Sequence, residues 1–494
     1  MKKLITLPCL MMIMAISIIR PIYPQIPDKN TWPEFRGKNC SGLARPDQPP
    51  PIDLVSTDNL LWKTPLLNGE SSPCIWGDRI FLTGFDKEKK QLQVMCYDRT
   101  DGKLIWNRVV PVKDFETYHV IATPAESTPA TDGERVYVHF GSCGLLCYDF
   151  EGKVLWTLEL PPNDHGFGSG MSPIVAGDLV ILPVRHTKEE IYLLALDSKT
   201  GSQAWKQPLP NLGHSSAILC GNQVVMHGYN FIAGYNIENG AEIWRVLVHT
   251  TCSNTPVTND GVVYVASFVG LGEEHYRLPI PTYQELLKKH DTNGDSFISK
   301  NEFPTEFKIN SRPEMENMPG SIVNLIDYWG LVDTDKNFHL DGKEWQAFLD
   351  YIEHESVDHG LVAIKTDGTG DVTESNILWK ENEGCPEVSS PLYHEGRVYM
   401  VKSGGIVTCV NAVTGKLLYR ERLRASGPYL SSPVAVNDRI YVASHKGTVV
   451  VFEAGDELNV LARNNLREKI LATPAIVDNK IYLRTDKHLY AFGE

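Results

Sequence analysis

The chain has 494 residues, of which 42% are hydrophobic and 22% are charged, so it is long enough to bury a large core of its own. Its formal net charge of −14 becomes −17 without the three positive charges of Lys2, Lys3 and Arg20. Such an acidic protein is a poor candidate for binding nucleic acid or anionic membrane surfaces.

The first 25 residues have the pattern of a signal peptide. A basic Met-Lys-Lys start is followed by 16 uncharged residues, Leu4–Ile19, which Pro8 interrupts. A membrane-spanning helix needs about 20 apolar residues, so we predict no stable membrane span. We expect export to the periplasm or the exterior of a bacterium. No Ala-x-Ala cleavage site is visible after the apolar stretch, so an uncleaved anchor stays open.

A short phrase occurs eight times along the rest of the chain. It consists of a small or hydroxyl residue, then Ser or Thr, then usually Pro, followed by a turn and an apolar strand. The third positions are Pro73, Pro129, Pro173, Ala217, Pro256, Pro391, Pro433 and Pro474. The intervals between them are 56, 44, 44, 39, 135, 42 and 41 residues. Four short strands per repeat predict an all-β chain folded as an eight-bladed β-propeller with four-stranded blades.

The ends of the repeats predict how the ring closes. Six repeats end in an aromatic residue, which we interpret as packing between neighbouring blades: Trp106, Trp156, Trp205, Trp244, Trp379 and Tyr419. The last repeat stops at residues 489–492 without an outer strand. Residues 60–63 have the outer-strand pattern and precede the first repeat, so we predict that they complete the eighth blade.

The 135-residue interval predicts an insertion at residues 271–357, in the fifth blade. Residues 32–270 then form the closing strand and the propeller up to the first part of blade five, and residues 358–494 form the remainder. Nine cysteines follow Cys9 without a disulfide framework. One bridge, between Cys252 and Cys385, stays open because both precede the Pro of consecutive repeats.

Two acidic loops in the insertion follow the calcium-ligand spacing of positions 1, 3, 5, 7, 9 and 12. The first loop consists of Asp291, Asn293, Asp295, Phe297 through its carbonyl, Ser299 and Glu302. The second loop consists of Asp333, Asp335, Asn337, His339 through its carbonyl, Asp341 and Glu344. Alternate residues of a tight turn aim their oxygens inward, and Ca²⁺ prefers six to eight oxygen ligands.

Apolar residues with helical spacing flank these loops. They are Tyr283, Leu286, Leu287 and His290, then Ile322, Leu325, Ile326 and Trp329, and finally Trp345, Phe348, Leu349 and Ile352. Residues 283–353 therefore resemble a paired EF-hand module. Position 6, which is Gly in that family, is Ser296 in the first loop and Phe338 in the second. Positive φ at such residues costs on the order of 1 kcal/mol, so we expect weak calcium sites that act as structural staples. The alternative is a helical hairpin without metal.

The propeller repeats resemble the PQQ-binding-like propeller family. The resemblance rests on strands such as Ala-Leu-Asp-x-x-Thr-Gly-x-x-x-Trp at residues 195–205 and on the Ser-Ser-Pro phrases. That family includes quinoprotein alcohol dehydrogenases and a periplasmic outer-membrane-protein assembly factor. The dehydrogenases hold PQQ and calcium at the ring axis and carry adjacent cysteines. This sequence has neither Cys-Cys nor the haem motif Cys-x-x-Cys-His, so no motif supports PQQ as a cofactor.

Several polar residues precede the Ser/Thr-Pro phrases, where the innermost strands begin. The candidate catalytic residues are Glu70, Glu126, His214 and Glu387. Carboxylates beside an imidazole can bind a metal or share acid–base work. The loops at residues 118–119 and 164–168 are longer than the repeat needs, which is typical of functional loops.

We interpret the chain as an exported, calcium-binding, monomeric propeller that acts as a binding or scaffolding protein, with a protein or carbohydrate partner at its rim. The alternative is an enzyme with its site in the propeller funnel. It would be a divergent quinone-dependent alcohol or sugar dehydrogenase or a metal-assisted carbohydrate-active enzyme. Convergence of the four candidate residues on one point would favour the enzyme, and dispersal would favour the binding protein.

Overall fold

The computed structural model describes residues 30–45, 49–187, 190–268, 277–312, 321–425 and 427–493. The predicted signal peptide lies outside these residues. Strands β1 (Thr31–Trp32) and β2 (Leu60–Pro65) join the first and last blades, respectively. The eight blades follow one another along the chain, so the predicted eight-bladed propeller is confirmed.

The strands of blades 1 to 4 run from the innermost to the outermost in chain order. Blade 1 contains β3 (Cys74–Trp76), β4 (Arg79–Asp86), β5 (Gln91–Asp98) and β6 (Leu104–Val110). Blade 2 contains β7 (Ala130–Thr131), β8 (Arg135–Phe140), β9 (Gly144–Asp149) and β10 (Val154–Glu159). Blade 3 contains β11 (Ile174–Ala176), β12 (Leu179–Arg185), β13 (Ile191–Asp197) and β14 (Gln203–Pro208). Blade 4 contains β15 (Ile218–Cys220), β16 (Gln223–Gly228), β17 (Phe231–Asn236) and β18 (Glu242–Leu247).

Blade 5 is interrupted between its second and third strands. It begins with β19 (Val257–Asn259) and β20 (Val262–Ser267). The insertion follows, with α1 (Tyr283–His290), β21 (Ile298–Ser299), β22 (Lys308–Ser311), β23 (Ile322–Asn324), α2 (Trp329–Val332), β24 (His339–Leu340) and α3 (Gly342–Asp358). The blade resumes with β25 (Gly360–Lys365) and ends with β27 (Ile377–Glu381). Between them, β26 (Gly370–Asp371) pairs in parallel with β18 of blade 4 and leads into α4 (Thr373–Asn376).

The last three blades restore the simple order. Blade 6 contains β28 (Leu392–His394), β29 (Arg397–Val401), β30 (Ile406–Asn411) and β31 (Leu417–Arg422). Blade 7 contains β32 (Val434–Val436), β33 (Arg439–Ala443), β34 (Thr448–Glu453) and β35 (Val460–Asn465). Blade 8 contains β36 (Ala475–Val477), β37 (Lys480–Arg484) and β38 (His488–Phe492), and β2 is its outer strand. Trp62 of β2 lies opposite Ala491 of β38, so the predicted closing strand is confirmed.

The outer-strand tryptophans join neighbouring blades, as the repeat predicts. The indole N–H of Trp156 in blade 2 donates to the carbonyl of Ser198 in blade 3 at 3.1 Å. Its ring packs on Gly201, where a Cβ would lie 2.6 Å away and where φ is +71°. The turn therefore requires glycine both for its backbone conformation and for the approach of the indole. Trp244 is an exception, since it donates to Gln223 of its own blade.

A closed ring of hydrogen bonds runs around the axis. The middle residue of each repeat phrase donates its backbone N–H to the side-chain hydroxyl of the middle residue in the next blade, at 2.9 to 3.2 Å. The bond from Thr473 to Ser72 closes the circle. The hydroxyl ring consists of Ser72, Thr128, Ser172, Ser216, Thr255, Ser390, Ser432 and Thr473. The repeat phrase thus carries both the inner edge of each blade and its connection to the next.

The insertion has a hydrophobic core of its own, which includes Leu286, Phe303 and Trp345. Helices α1 and α3 form where the sequence predicts them, and Ile298 pairs with Leu340 between the two acidic loops. One predicted helical stretch differs, because Ile322 lies in β23 and the α-helix begins only at Trp329. After the first acidic loop, residues 303–312 form turns and β22, and Pro304 disfavours helix there.

The described cysteines are all free thiols, so Cys252 and Cys385 do not form the disulfide that the sequence left open. Within the described ranges, no helix is long and apolar enough to cross a membrane.

Candidate functional site

A cavity of about 970 Å³ lies on the propeller axis. All eight side chains of the hydroxyl ring line it. The residues two positions before each ring residue line it as well, because side chains alternate in extended chain and positions i and i−2 share a face. This second set, the variable tier, consists of Glu70, Glu126, Gly170, His214, Ser253, Val388, Leu430 and Leu471. The axial cavity is therefore built from two residues of every blade.

All four sequence-predicted candidates line the axial cavity, but they do not converge on one point. In the part of the chain that the structure describes, they form no group of three whose ligand atoms lie within 4.8 Å of one another. Glu70 accepts hydrogen bonds from the backbone N–H and the hydroxyl of Thr123, at 3.0 and 2.6 Å. Both of these bonds hold Glu70 against its own wall of the cavity.

Glu387 is also held by structural contacts. It forms an ion pair at 3.0 Å with Arg312, and both side chains are largely buried. It further accepts from the hydroxyl and the backbone N–H of Ser403. Arg312 belongs to the insertion, as does Tyr328, and both line the cavity. The insertion thus supplies part of the wall, and the Arg312–Glu387 pair attaches it to the propeller.

Glu126 and His214 face each other across Gly170. A Cβ on Gly170 would lie 3.4 Å from Oε2 of Glu126 and 3.7 Å from Nδ1 of His214. Burial and the nearby carboxylates of Glu70 and Glu116 raise the pKa of Glu126 well above its ordinary value. These surroundings favour the neutral carboxylic acid over the carboxylate.

The imidazole of His214 is neutral at physiological pH. Burial, with His165, Arg185 and His119 nearby, lowers the pKa of His214 to about 3. The rings of His165 and His214 lie 5.1 Å apart. His119 and Phe167, from the two loops that the sequence singles out, stack at 5.2 Å. The polar side of the cavity therefore combines uncharged hydrogen-bonding groups with aromatic faces.

The other end of the axis is closed by an N-terminal plug, residues 31–44, which the sequence did not assign to the site. Phe35 of the plug lines the axial cavity. Neighbouring plug residues bond to the inner strands of blades 2, 3, 4, 6 and 7. These contacts are Pro33 with Thr131, Glu34 with Val175, Asn39 with Leu219, Arg36 with Pro391 and Pro433, and Ala44 with Ala435.

Two charged residues of the plug are fully buried. Burial raises the pKa of Glu34 to about 7, although the N–H groups of Val175 and Asn39 oppose the shift. Burial lowers the pKa of Arg36 to about 10. In the sequence they appear only as two of the three charged residues of the plug, beside Lys38, which is a weak signal of burial.

The second acidic loop brings three carboxylates together. Ligand oxygens of Asp333, Asp335 and Glu344 lie within 4.8 Å of one another. Asp333 is 3% exposed, and its Oδ2 accepts from the indole of Trp329 at 2.7 Å. Its Oδ1 is buried without a hydrogen-bond partner. Phe338, at position 6, has a φ of +66°, so the strained conformation predicted there is present.

The first loop is more open. Its side chains bond within the loop, and Glu302 accepts from the hydroxyls of Thr292 and Ser299 at 2.8 and 2.7 Å. These bonds and the corresponding backbone N–H groups lower the pKa of Glu302 to about 2. Ser296 has a φ of +69°. In the described residues, the carboxylates of this loop form no group as close as that of the second loop.

Comparison with known families and structures gives consistent matches. The profile of the family described as outer membrane protein assembly factor BamB matches residues 52–216, 187–277 and 357–461. An outer membrane protein assembly factor BamB from Yersinia pestis is 23% identical over 389 residues, which cover 74% of this chain and 81% of that protein.

Solved structures show the same fold. BamB from Moraxella catarrhalis is similar to this chain with a TM-score of 0.52 and 13% identity, covering 87% of this chain and 98% of that one. A quinohemoprotein alcohol dehydrogenase from Comamonas testosteroni has a TM-score of 0.54 and 12% identity, covering 94% of this chain and 81% of that one. At these identities the likeness establishes the propeller fold and not an activity.

Proposed function

This chain belongs to the family of outer membrane protein assembly factor BamB, and on that premise we propose that it is an exported scaffold protein of the bacterial envelope. We propose further that it binds a protein partner at the mouth of the axial cavity, in the service of membrane-protein assembly. The observation that carries this proposal is the apolar character of the mouth.

The mouth exposes several large apolar side chains around a polar interior. Phe167, Tyr229, Tyr328 and Val388 line the axial cavity and are 41 to 56% exposed. Val120, which is 83% exposed, lines a smaller cavity of about 310 Å³ that shares Glu70 with the axial cavity. Clustered exposed apolar side chains with polar groups between them are typical of protein-binding sites.

The state of the candidate catalytic residues supports binding rather than catalysis. Glu70 and Glu387 bond to neighbouring side chains that hold them in place. Burial favours the uncharged forms of Glu126 and His214, because it raises the pKa of the first and lowers that of the second. In the described part of the chain they have no third acidic or imidazole ligand within coordinating distance. A general base or metal site needs its reacting groups to converge on one place.

Photo-crosslinking in cells tests the partner proposal. A benzoylphenylalanine replacing Phe167 places the crosslinker at the mouth, and one replacing Leu104 places it on the outer strand β6 as a matched control. We expect a discrete crosslink to an envelope protein from position 167 and none from position 104. Equal crosslinking from both positions, or none from position 167, would contradict the proposal.

We also propose that the second acidic loop binds calcium as a structural staple. Asp333, Asp335 and Glu344 supply carboxylate oxygens, and Asn337, Asp341 and the carbonyl of His339 complete the oxygen set that Ca²⁺ prefers. The unpartnered Oδ1 of Asp333 supports this fit, because a buried carboxylate oxygen without a donor is costly unless a cation satisfies it. Calcium here would join α2 to α3.

Calorimetric titration of the chelator-treated protein tests the calcium proposal. We expect Glu344→Gln to abolish one site, whereas Glu306→Gln, an exposed residue in the same insertion, leaves binding unchanged. A second site lost in Glu302→Gln would extend calcium to the first loop. No heat of binding in the unaltered protein would refute the proposal, and a site that survives the Glu302/Glu344 double change would place metal in the propeller.

A further inference from the structure

The chemistry of the axial cavity identifies a ligand class that differs from the protein partner proposed at its mouth. We propose that the cavity binds a neutral, polyhydroxylated ligand of the size of an oligosaccharide. Its volume of about 970 Å³ is at the upper end of the range for small-molecule sites. The plug closes one end of the axis, so a ligand would enter and leave through the mouth.

The hydroxyl ring supplies hydrogen-bond donors to this cavity. Each ring hydroxyl already accepts a backbone N–H from the preceding blade. A hydroxyl that accepts in this way still has its O–H to donate. None of these eight O–H groups donates to an acceptor within the described residues, and all eight line the cavity. Eight donors around one axis favour a ligand rich in oxygen acceptors.

The variable tier adds further contact groups to the cavity. One half of it is polar and the other half is apolar. Blades 1, 2, 4 and 5 contribute the hydrogen-bonding side chains of Glu70, Glu126, His214 and Ser253. Blades 6 to 8 contribute only apolar side chains, namely Val388, Leu430 and Leu471. A sugar ring has the same division, with hydroxyls on its edge and C–H groups on its faces, so one ring can satisfy both halves at once.

Charge argues for a neutral ligand. The cations that line the cavity already have partners, since Arg312 pairs with Glu387 and Arg185 donates to the carbonyl of Leu212. Burial and the neighbouring carboxylates of Glu70 and Glu116 raise the pKa of Glu126, which favours its neutral form. The charged side chains of the lining are therefore held by protein groups at the wall, with Glu70 bonded to Thr123 and Arg185 to Asn211 and Leu212, which favours a ligand that brings no charge of its own.

Gly170 leaves an open space in which a ligand would contact the polar half of the variable tier. It is the member of the variable tier without a side chain, and it lies between Glu126 and His214. The nearest atoms to a Cβ there are at 3.4 to 3.7 Å, which is ordinary contact, so alanine fits without displacing its neighbours. Phe167 and His119 stack above the same side and offer a flat surface to a sugar face.

Titration of the purified full chain with maltotriose, cellotriose and triacetylchitotriose tests the inference, with the diamine cadaverine as the cationic probe. We expect saturable binding of at least one trisaccharide below 20 mM. Gly170→Ala should weaken it at least tenfold by filling the gap. Gly455→Ala is the matched control, because a Cβ there meets only one atom, at 3.9 Å, in a hairpin of blade 7.

Two changes at Glu126 separate hydrogen bonding from charge. Glu126→Gln preserves a donor and an acceptor and should bind the trisaccharide within threefold of the unaltered protein, whereas Glu126→Leu should lose at least tenfold. The inference is overturned if no trisaccharide binds by 20 mM, if cadaverine binds in their place, or if Gln and Leu weaken binding equally. None of these outcomes depends on the protein partner, which the crosslinking experiment tests separately.

Discussion

Replacing Thr128 with valine exchanges one hydroxyl of the hydroxyl ring for a methyl group of similar size. Thr128 is 2% exposed, and its Oγ1 accepts the N–H of Ser72 at 2.9 Å. Valine preserves the shape of the side chain but leaves that buried N–H without an acceptor. An orphaned buried donor costs about 1–3 kcal/mol, so we expect Thr128→Val to lower the free energy of unfolding by that amount.

The assay is equilibrium unfolding in urea, followed by tryptophan fluorescence. Thr305→Val is the control, because Thr305 is exposed in the insertion and its replacement should change stability by less than about 0.5 kcal/mol. Thr473→Val orphans a different donor, the N–H of Ser432, so its cost should add to that of Thr128→Val.

The reasoning would be refuted if Thr128→Val were no more destabilising than Thr305→Val. It would also be refuted if the double change cost much less than the sum of the two. In that case the inter-blade bonds would not be independent contributors, and apolar packing between blades alone would close the ring.

Three further predictions follow from buried contacts. The folded-state pKa of Glu126 lies above its unfolded value near 4.5, so the protein loses stability as pH rises from about 4.5 through the folded pKa. The melting temperature of Glu126→Gln should therefore exceed that of the unaltered protein by a margin that grows over this pH range. A margin that stays constant with pH would contradict this. Gly201→Ala should destabilise by more than 1 kcal/mol in urea unfolding, since a Cβ would lie 2.6 Å from Trp156 at positive φ, and a neutral effect would contradict the packing role. Arg312→Ala leaves the Glu387 carboxylate buried without its cationic partner, so limited proteolysis should cut the insertion faster than in the unaltered protein. Arg277→Ala is the control, because Arg277 also belongs to the insertion but pairs with Glu353, and its insertion should be cut more slowly than that of Arg312→Ala.

The ring of eight blades could be predicted from the sequence because each blade repeats the same short phrase. Eight phrases at near-equal spacing give the number of blades, and the missing outer strand of the last repeat identifies residues 60–63 as its replacement. Most copies of the phrase lie 39 to 44 residues apart, so one chain carries enough of them to show both the period and the repeat that lacks its outer strand.

The plug could not be predicted in the same way. Arg36 bonds to Pro391, 355 residues away, and Asn39 bonds to Leu219, 180 residues away. Neither residue belongs to a repeat, and nothing in the local sequence specifies a partner at such distances. The segment after the first acidic loop has a local cause, since Pro304 disfavours helix and turns lead into β22.

The sequence predicts where the candidate residues lie, but not which neighbours they bond to. Glu70, Glu126 and His214 all line the cavity because they occupy one position of the repeat, two residues before the hydroxyl. Their chemistry depends on neighbours that lie elsewhere in the chain. Thr123 engages Glu70, whereas the gap at Gly170 leaves Glu126 and His214 facing open space.

This division between the two tiers separates stability from recognition. Every hydroxyl of the ring accepts an N–H from the preceding blade, so its removal lowers the free energy of unfolding. The variable tier contributes no bond to that ring and includes carboxyl, imidazole, hydroxyl, aliphatic and glycine positions on otherwise similar blades. A propeller built this way can change what its axis binds by substitution at eight positions while the hydrogen bonds that close the ring stay the same.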